Sequence, residues 1–587
     1  MCGIVGYVGS KDARPVLLGA LERVTYRGYD SFGLAFLNGR GLEVFKGVGS
    51  VDQHRDEVNL SGNIGIGHTR WATVGAVSER NAHPHLDCSG NIAIVHNGDI
   101  DNFRELRDRL LSKGHSFQSE TDSEVIAHLI EVYRPAGLIS AVQQAVTQLE
   151  GSYAILVLDR RSRHLVVTRK GSPVVIGLGD NECFVASDAP ALVPYTRRVV
   201  YLQDGDFAMI GNDRVQIWND GKEVSRAVHQ VNWAASEIEK NGYEHFMLKE
   251  ILEQPQAIRN TLGAYGAGLP DFPIAHPDHL LFSGCGTSYH AALIGEDLVS
   301  PRVSYPVTAK IGSELTNVPP ANGNSVAVAL SQSGETLDTI TAVKKLKDSG
   351  WKIVSITNVQ QSSLSLLADT VLHTSAGPEI AVAATKTFTS QLALLYLVTS
   401  QLAKGPETSV ISPSSLRALP GKVQQTIAMT PGFQSAAEQL AKYEHMFVIA
   451  KGRNIPVAME AALKFKEVAY LHAEACPAGE LKHGPFALLG PEASVLAIMD
   501  SATERTRMLT AIREIKARGS LVVALTDRDD EEVEETVDLM LPVPSANSLL
   551  TPMLFTVATQ LLAYYCARIR GCPIDRPRNL AKSVTVP

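Results

Sequence analysis

Ser325-Val326-Ala327-Val328-Ala329-Leu330-Ser331-Gln332-Ser333-Gly334-Glu335-Thr336 opens on an apolar run, closes it on hydroxyls and a glycine, and gives way to helical spacing from Leu337. A short run apolar on both faces, then a polar turn and a helix, is the repeating unit of a parallel sheet. The pattern recurs on either side. Residues 279–283 run into Gly284-Cys285-Gly286-Thr287-Ser288 and a helix, and 352–357 form a further strand-like run. Later, 445–451 run into Gly452-Arg453-Asn454, 494–499 into Asp500-Ser501-Ala502-Thr503, and 521–526 repeat 352–357. The offset stays at about 168 residues, so this half reads as two related doubly wound α/β domains.

The whole chain has 587 residues, enough for about three or four domains. Its composition, 45% hydrophobic and 20% charged with mean hydropathy +0.01, excludes disorder and fibrous repeats. No apolar run approaches the ~18 residues of a membrane span. A net charge of −8 offers no general attraction to nucleic acid or an acidic membrane; small molecules are the expected partners. Seven cysteines, an odd number without a C-x-x-C pair, suggest a reducing compartment, and the first residues lack a signal-peptide pattern. A cytoplasmic location is expected.

Before residue 230 the pattern is different. Strand-like runs at 3–8, 63–67, 92–96, 154–158, 165–168, 184–187 and 206–210 are interrupted by two amphipathic helices, one over 101–111 and one after Thr121-Asp122-Ser123. The reading places one domain at 1–225, a linker at 226–243, α/β domains at 244–420 and 421–575, and a tail at 576–587.

Cys2 carries chemistry by position. Removal of Met1 would leave a thiol and an α-amine on one residue, and an amine titrating near 7.7–8.0 can take the thiol proton near neutrality. Tyr26-Arg27-Gly28-Tyr29-Asp30-Ser31, His68-Thr69-Arg70-Trp71-Ala72-Thr73, Val95-His96-Asn97-Gly98 and Ser119-Glu120-Thr121-Asp122 collect polar groups at predicted strand ends and turns. Asn81-Ala82-His83-Pro84-His85 with Cys88 invites a zinc reading, but its spacing fits neither a finger nor a ribbon, so no metal is assigned.

In the other half, Ser331, Gln332, Ser333 and Thr336 open a helix whose N–H groups and dipole suit a phosphate, with Thr287 and Ser288 at the neighbouring strand end; ordinary N-capping is the plainer alternative. A Walker lysine is missing, which argues against ATP. Glu460, Lys464 and Glu467, spaced four and three apart, share one helix face. Such a face is commonly a solvated ladder, yet the following 472–485 concentrates acids, bases and glycines in an expected loop.

The N-terminal segments together resemble the glutamine amidotransferases of the N-terminal-nucleophile type, which implies an α+β (αββα) glutaminase domain. By that resemblance Cys2 attacks the glutamine amide, Asn97 and the Gly98 N–H form the oxyanion hole, Arg70 binds the α-carboxylate, Asp122 the α-amine, Thr73 contributes to binding, and Trp71 and Arg27 flank the nucleophile. Val74 stands where the family commonly has His. Phe32 replaces a residue often small, and Pro587 a usual acid.

The C-terminal segments, with 379–386 and 577–586, are similar to the sugar isomerase (SIS) domains of the isomerising glutamine:fructose-6-phosphate aminotransferases. This implies L-glutamine and fructose 6-phosphate as substrates, glucosamine 6-phosphate and glutamate as products, and ammonia channelled past Trp71. It gives Ser331, Gln332, Ser333 and Thr336 to the phosphate, and Thr287, Ser288, Val382 and Ala581 to the sugar. Ring opening falls to His483 from a neighbouring subunit, the C1/C2 proton shuttle to Glu467, and base or carbonyl-partner roles to Lys464 and Lys582. No cofactor or metal is implied, and a homodimer is. Two other readings stand beside it: a different keto-sugar phosphate as acceptor, and a sugar-phosphate sensor without turnover.

Overall fold

The computed structural model describes every residue except 1, 232, 234, 267, 270–276, 322, 404–410, 503 and 586–587; Met1, Thr503, Val586 and Pro587 of the sequence reading therefore lie outside the described residues. Two compact units emerge, one running to Ile238 and rejoined by the stretch from Ala581, the other spanning Glu239–Leu580.

In the first unit an eight-stranded and a seven-stranded antiparallel sheet are stacked. Alternation along the strands explains the layering. In Gly3–Val8, Val5 and Tyr7 pack under the helix Ala13–Val24, while Ile4 and Val8 pack with Ala93, Val95, Ala154 and Leu156 of the second sheet. On that sheet's far side Ile92, Ile94, Ile155 and Val157 meet the helices Phe103–Ser112, Glu124–Tyr133 and Leu138–Val146. Helix, sheet, sheet and helices therefore enclose three apolar layers. The helices Ala13–Val24 and Leu138–Val146 escaped the sequence reading. Phe32, fully buried, packs against Phe45 and His54 at centroid distances of 5.8 and 5.9 Å.

The second unit holds two five-stranded parallel sheets of the same order. One runs Val307–Ile311, His279–Gly284, Ser325–Ser331, Lys352–Thr357, Thr370–His373; the other runs His472–Pro477, His445–Ala450, Ala493–Met499, Leu521–Thr526, Leu539–Pro542. The order reverses beside the first strand of each, which places the ligand-binding crevice there. Both sheets share one core through the buried helices Lys386–Leu402 and Thr551–Ile569. The helix Phe246–Ala264 passes through Pro255 without ending. One expectation is corrected: the first part of 472–485 is not loop but the edge strand His472–Pro477, with Ala473 and Cys476 turned inward, and only then come short helical turns. Among the described residues no helix is long and apolar enough to cross a membrane.

Candidate active sites

At the start of the first strand the Cys2 thiol receives the Trp71 N–H at 3.2 Å. Its carbonyl accepts from Arg27 Nε at 3.1 Å and from Asn97 Nδ2 at 2.9 Å, so the main chain of this candidate nucleophile is fixed from two sides. Burial pushes the Cys2 thiol up, opposed by the Trp71 N–H and the Arg70 charge. Buried His68 orients Asn97: its Nε2 lies 3.1 Å from Asn97 Oδ1 and 2.9 Å from the His96 carbonyl. Burial lowers His68 to about 3, so a neutral imidazole donates from Nε2 to these two oxygens. The Asn97 amide is thereby turned with its donor toward Cys2.

Gly98 follows in a conformation only glycine adopts easily, at φ +127°, and a Cβ there would stand 2.1 Å from the Ser152 carbonyl. We expect Gly98→Ala to destabilise the chain by about 2 kcal/mol or more, read by unfolding temperature. An Ala variant as stable as the parent would contradict this.

Arg70 donates to the carbonyls of Val74 at 2.6 Å, Gly75 at 3.0 Å and Ala76 at 3.2 Å. Carbonyls hold a guanidinium without cancelling its charge, which suits it to an anion. The Val74 position thus acts through its main chain, and the missing His side chain leaves that bond intact. Thr73 Oγ1 donates to Asp99 at 3.1 Å. Asp122 accepts from the Ile100 N–H at 2.9 Å, two residues beyond Gly98, and burial raises its carboxyl against the pull of that bond. Trp71 meets Tyr29 edge to face.

In the second unit the Glu-Lys-Glu face is no solvated ladder. Glu460 and Lys464 are fully buried, because the face turns into the junction between the two α/β domains. Lys464 Nζ lies 2.6 Å from Glu467, 3.3 Å from Glu460 and 3.3 Å from Thr287 Oγ1. Thr287 also donates to Glu460 at 3.1 Å, and His290 Nδ1 stands 2.7 Å from its other oxygen. Burial alone would lower the Lys464 ammonium, but Glu460 and Glu467 outweigh it and hold it above the usual lysine range. Glu460 and His290 had no signal of their own in the sequence beyond helical spacing.

The hydroxyl-rich loop stands beside Thr287 because its strand, Ser325–Ser331, pairs with His279–Gly284. Ser331 Oγ receives the Gly334 N–H at 3.0 Å and lies 3.2 Å from Thr336 Oγ1. Thr336 occupies the N-cap of Leu337–Asp348 without a side-chain capping bond, so N-capping does not explain the residue. Ser333 accepts the Glu335 N–H at 3.1 Å, and the Gln332 carbonyl accepts the Asn358 N–H at 3.1 Å. Ser288 pairs with Gln391, a partner the sequence did not mark. In the second copy the equivalent strand ends carry Asp500, Asp527 and Asp530, with Ser501 and Arg505 bound to two of them; acids there disfavour a phosphate.

The remaining expected residues are more scattered. Val382 N–H bonds the Asp575 carbonyl at 3.1 Å. Glu467 lines an open cleft of about 470 Å³ with Tyr470, Arg578, Asn579 and Leu580. His483 is exposed on a short helical turn. Ala581 and Lys582 group with the first unit.

Comparison with known proteins finds the glutamine amidotransferase domain description over residues 51–244 and the SIS domain description over 273–400 and 439–570. A glutamine–fructose-6-phosphate aminotransferase (isomerizing) of Caldanaerobacter subterraneus subsp. tengcongensis is 43% identical over 607 residues, covering all of both chains. The protein of the same name from Pyrococcus horikoshii is 43% identical over 601 residues, again covering both completely. Among solved structures, the C-terminal domain of glucosamine-fructose-6-phosphate aminotransferase from Francisella tularensis is 31% identical with TM-score 0.53, over 57% of this chain and 99% of that one.

Proposed function

The chain belongs to the isomerising glutamine–fructose-6-phosphate aminotransferase family, and from that premise we propose how its own residues divide the work. The protein uses glutamine to aminate and isomerise fructose 6-phosphate, giving glucosamine 6-phosphate and glutamate. In the proposed glutaminase step Cys2 Sγ attacks the glutamine Cδ, with the α-amine exposed by Met1 removal taking the thiol proton. Asn97 Nδ2 and the Gly98 N–H meet the oxyanion. Nitrogen leaves as ammonia with the added proton, and water then releases glutamate from the thioester. Arg70 and Asp122 hold the two ends of the amino acid, and Thr73, Trp71 and Arg27 border the site.

At the sugar, Ser331, Gln332, Ser333 and Thr336 bind the phosphate, with Thr287, Ser288, Val382 and Ala581 along the sugar. The ammonium of Lys464 meets the carbonyl oxygen, while Glu467 moves the proton between C1 and C2. Lys582 serves as base or carbonyl partner. His483 opens the ring from a neighbouring subunit, a role compatible with its exposure, and implies a homodimer. A cytoplasmic location, without nucleic-acid partners, fits the seven unpaired cysteines and the net charge.

The observation that carries this reading is the buried Glu460–Lys464 pair beside Thr287, with Glu467 joining it from the cleft: nothing about a solvated helix or a passive binding fold calls for an ammonium held between two carboxylates at a strand-end crevice. The direct test is to incubate the protein with glutamine and fructose 6-phosphate and measure both products. Equal amounts of glutamate and glucosamine 6-phosphate are expected. Glutamate alone would point to another keto-sugar phosphate, and binding without product to a sensor. Ser331→Ala should raise KM for fructose 6-phosphate by about tenfold, the loss of roughly one hydrogen bond to a charged group, with a smaller change in kcat. An unchanged KM would remove Ser331 from the phosphate site.

A further inference from the structure

Within 81–88 the spacing of His and Cys fits no common metal motif. The fold instead separates those residues. His83 and His85 are buried together against His68, while Cys88 meets a different set. Its Sγ lies 3.5 Å from His115 Nδ1 and 3.4 Å from His128 Nδ1. Glu131 Oε2 stands 3.0 Å from His115 Nδ1 and 3.5 Å from His128 Nδ1. All four donor atoms lie within 4.8 Å of one another.

We propose that Cys88, His115, His128 and Glu131 form a structural Zn²⁺ site in the glutaminase domain. Bonds of about 2.0–2.3 Å in a tetrahedron put neighbouring donors roughly 3.3–3.8 Å apart, and three of the four measured separations fall there while the fourth needs only a slight opening. One sulfur, two imidazole nitrogens and one carboxylate suit zinc and its analogue cobalt better than calcium or magnesium. On binding, Cys88 releases its proton to solvent; thiolate and carboxylate then neutralise the ion while both imidazoles bind neutral. The outer surroundings agree. The Ser116 N–H points at Cys88 Sγ from 3.5 Å. His128 is 1% exposed, and its Nε2 has no hydrogen-bond partner among the described residues but lies 3.7 Å from Glu124. Coordination through Nδ1 would fix the proton on Nε2, toward that carboxylate.

The ion would staple three elements. Cys88 follows the strand His85–Leu86, His115 lies between the helices Phe103–Ser112 and Glu124–Tyr133, and His128 and Glu131 lie on the latter. Glu124 at the start of that helix receives the N–H groups of Gln118 and Ser119, and Asp122 lies just before its N-cap, Ser123. A zinc here would hold the segment that presents Asp122.

The test uses the full chain with Cys2→Ala, so that the nucleophile cannot chelate metal. The protein is purified without chelator for zinc content, then stripped and titrated with Co²⁺ while visible and near-ultraviolet absorption is read. We expect about one zinc per chain, one cobalt with tetrahedral d–d bands, and a thiolate-to-cobalt band that Cys88→Ser abolishes. His115→Gln, at a partly buried position, should weaken binding by about tenfold or more and serves if Cys88→Ser fails to fold. Substoichiometric zinc with no thiolate band would overturn the site, as would equal cobalt affinity in parent and both variants.

Discussion

Cys2→Ala is expected to lower glutamine-dependent formation of glucosamine 6-phosphate by at least about 10⁴-fold, the scale seen when a catalytic nucleophile is removed, while added ammonia restores it. The geometry makes the substitution clean. The anchors of this residue, Arg27 and Asn97, grip its carbonyl and not its side chain, so alanine keeps the main chain in place. The side chain bonds Trp71 twice, and with alanine the Trp71 N–H loses its acceptor and the Trp71 carbonyl loses the thiol at 3.5 Å. Without sulfur no thioester forms, no ammonia leaves glutamine, and the sugar half lacks its nitrogen but not its chemistry. Continued glutamate release would place the nucleophile elsewhere. Failure of ammonia to restore the amino sugar would place Cys2 in the sugar reaction as well.

How much of this was legible in the sequence depended on whether a pattern is local. The strands Ser325–Ser331 and Ala493–Met499 are buried on both faces and their apolar runs are uninterrupted, so the repeat announced itself. The edge strands Val307–Ile311 and Leu539–Pro542 are short and half-buried, and His472–Pro477 carries exposed charge on its outer face; edges satisfy solvent as well as the sheet and lose their signature. At the candidate sites, helical spacing shows that Glu460, Lys464 and Glu467 share a face but not what that face meets. Thr287 and His290 arrive from more than a hundred residues away. Cys88, His115, His128 and Glu131 likewise have no motif spacing, because the fold and not the chain brings them together. The carbonyl cradle of Arg70 is main-chain geometry, invisible to residue type.

Lys464→Met carries the second large effect, and it separates structure from chemistry. The parent ammonium is raised in the folded chain, so its contribution to stability is present through neutral pH and is lost only as pH climbs from the ordinary lysine value toward the raised one. Held charged through neutral pH by Glu460 and Glu467, it would in the proposed reaction meet the sugar carbonyl oxygen and not act as the base. Methionine fills the space but leaves Glu460 and Glu467 without their shared partner; breaking a buried pair in this way costs about 3–5 kcal/mol. The unfolding temperature should fall, and amination with added ammonia should fall by about 100-fold or more, with glutamine hydrolysis retained. Adding Glu460→Gln removes the stranded buried carboxylate, so the double variant should recover most of the lost stability and none of the amination. If activity returns with stability, Lys464 only shapes the junction. If neither variant loses amination, the buried group is not where the sugar reacts.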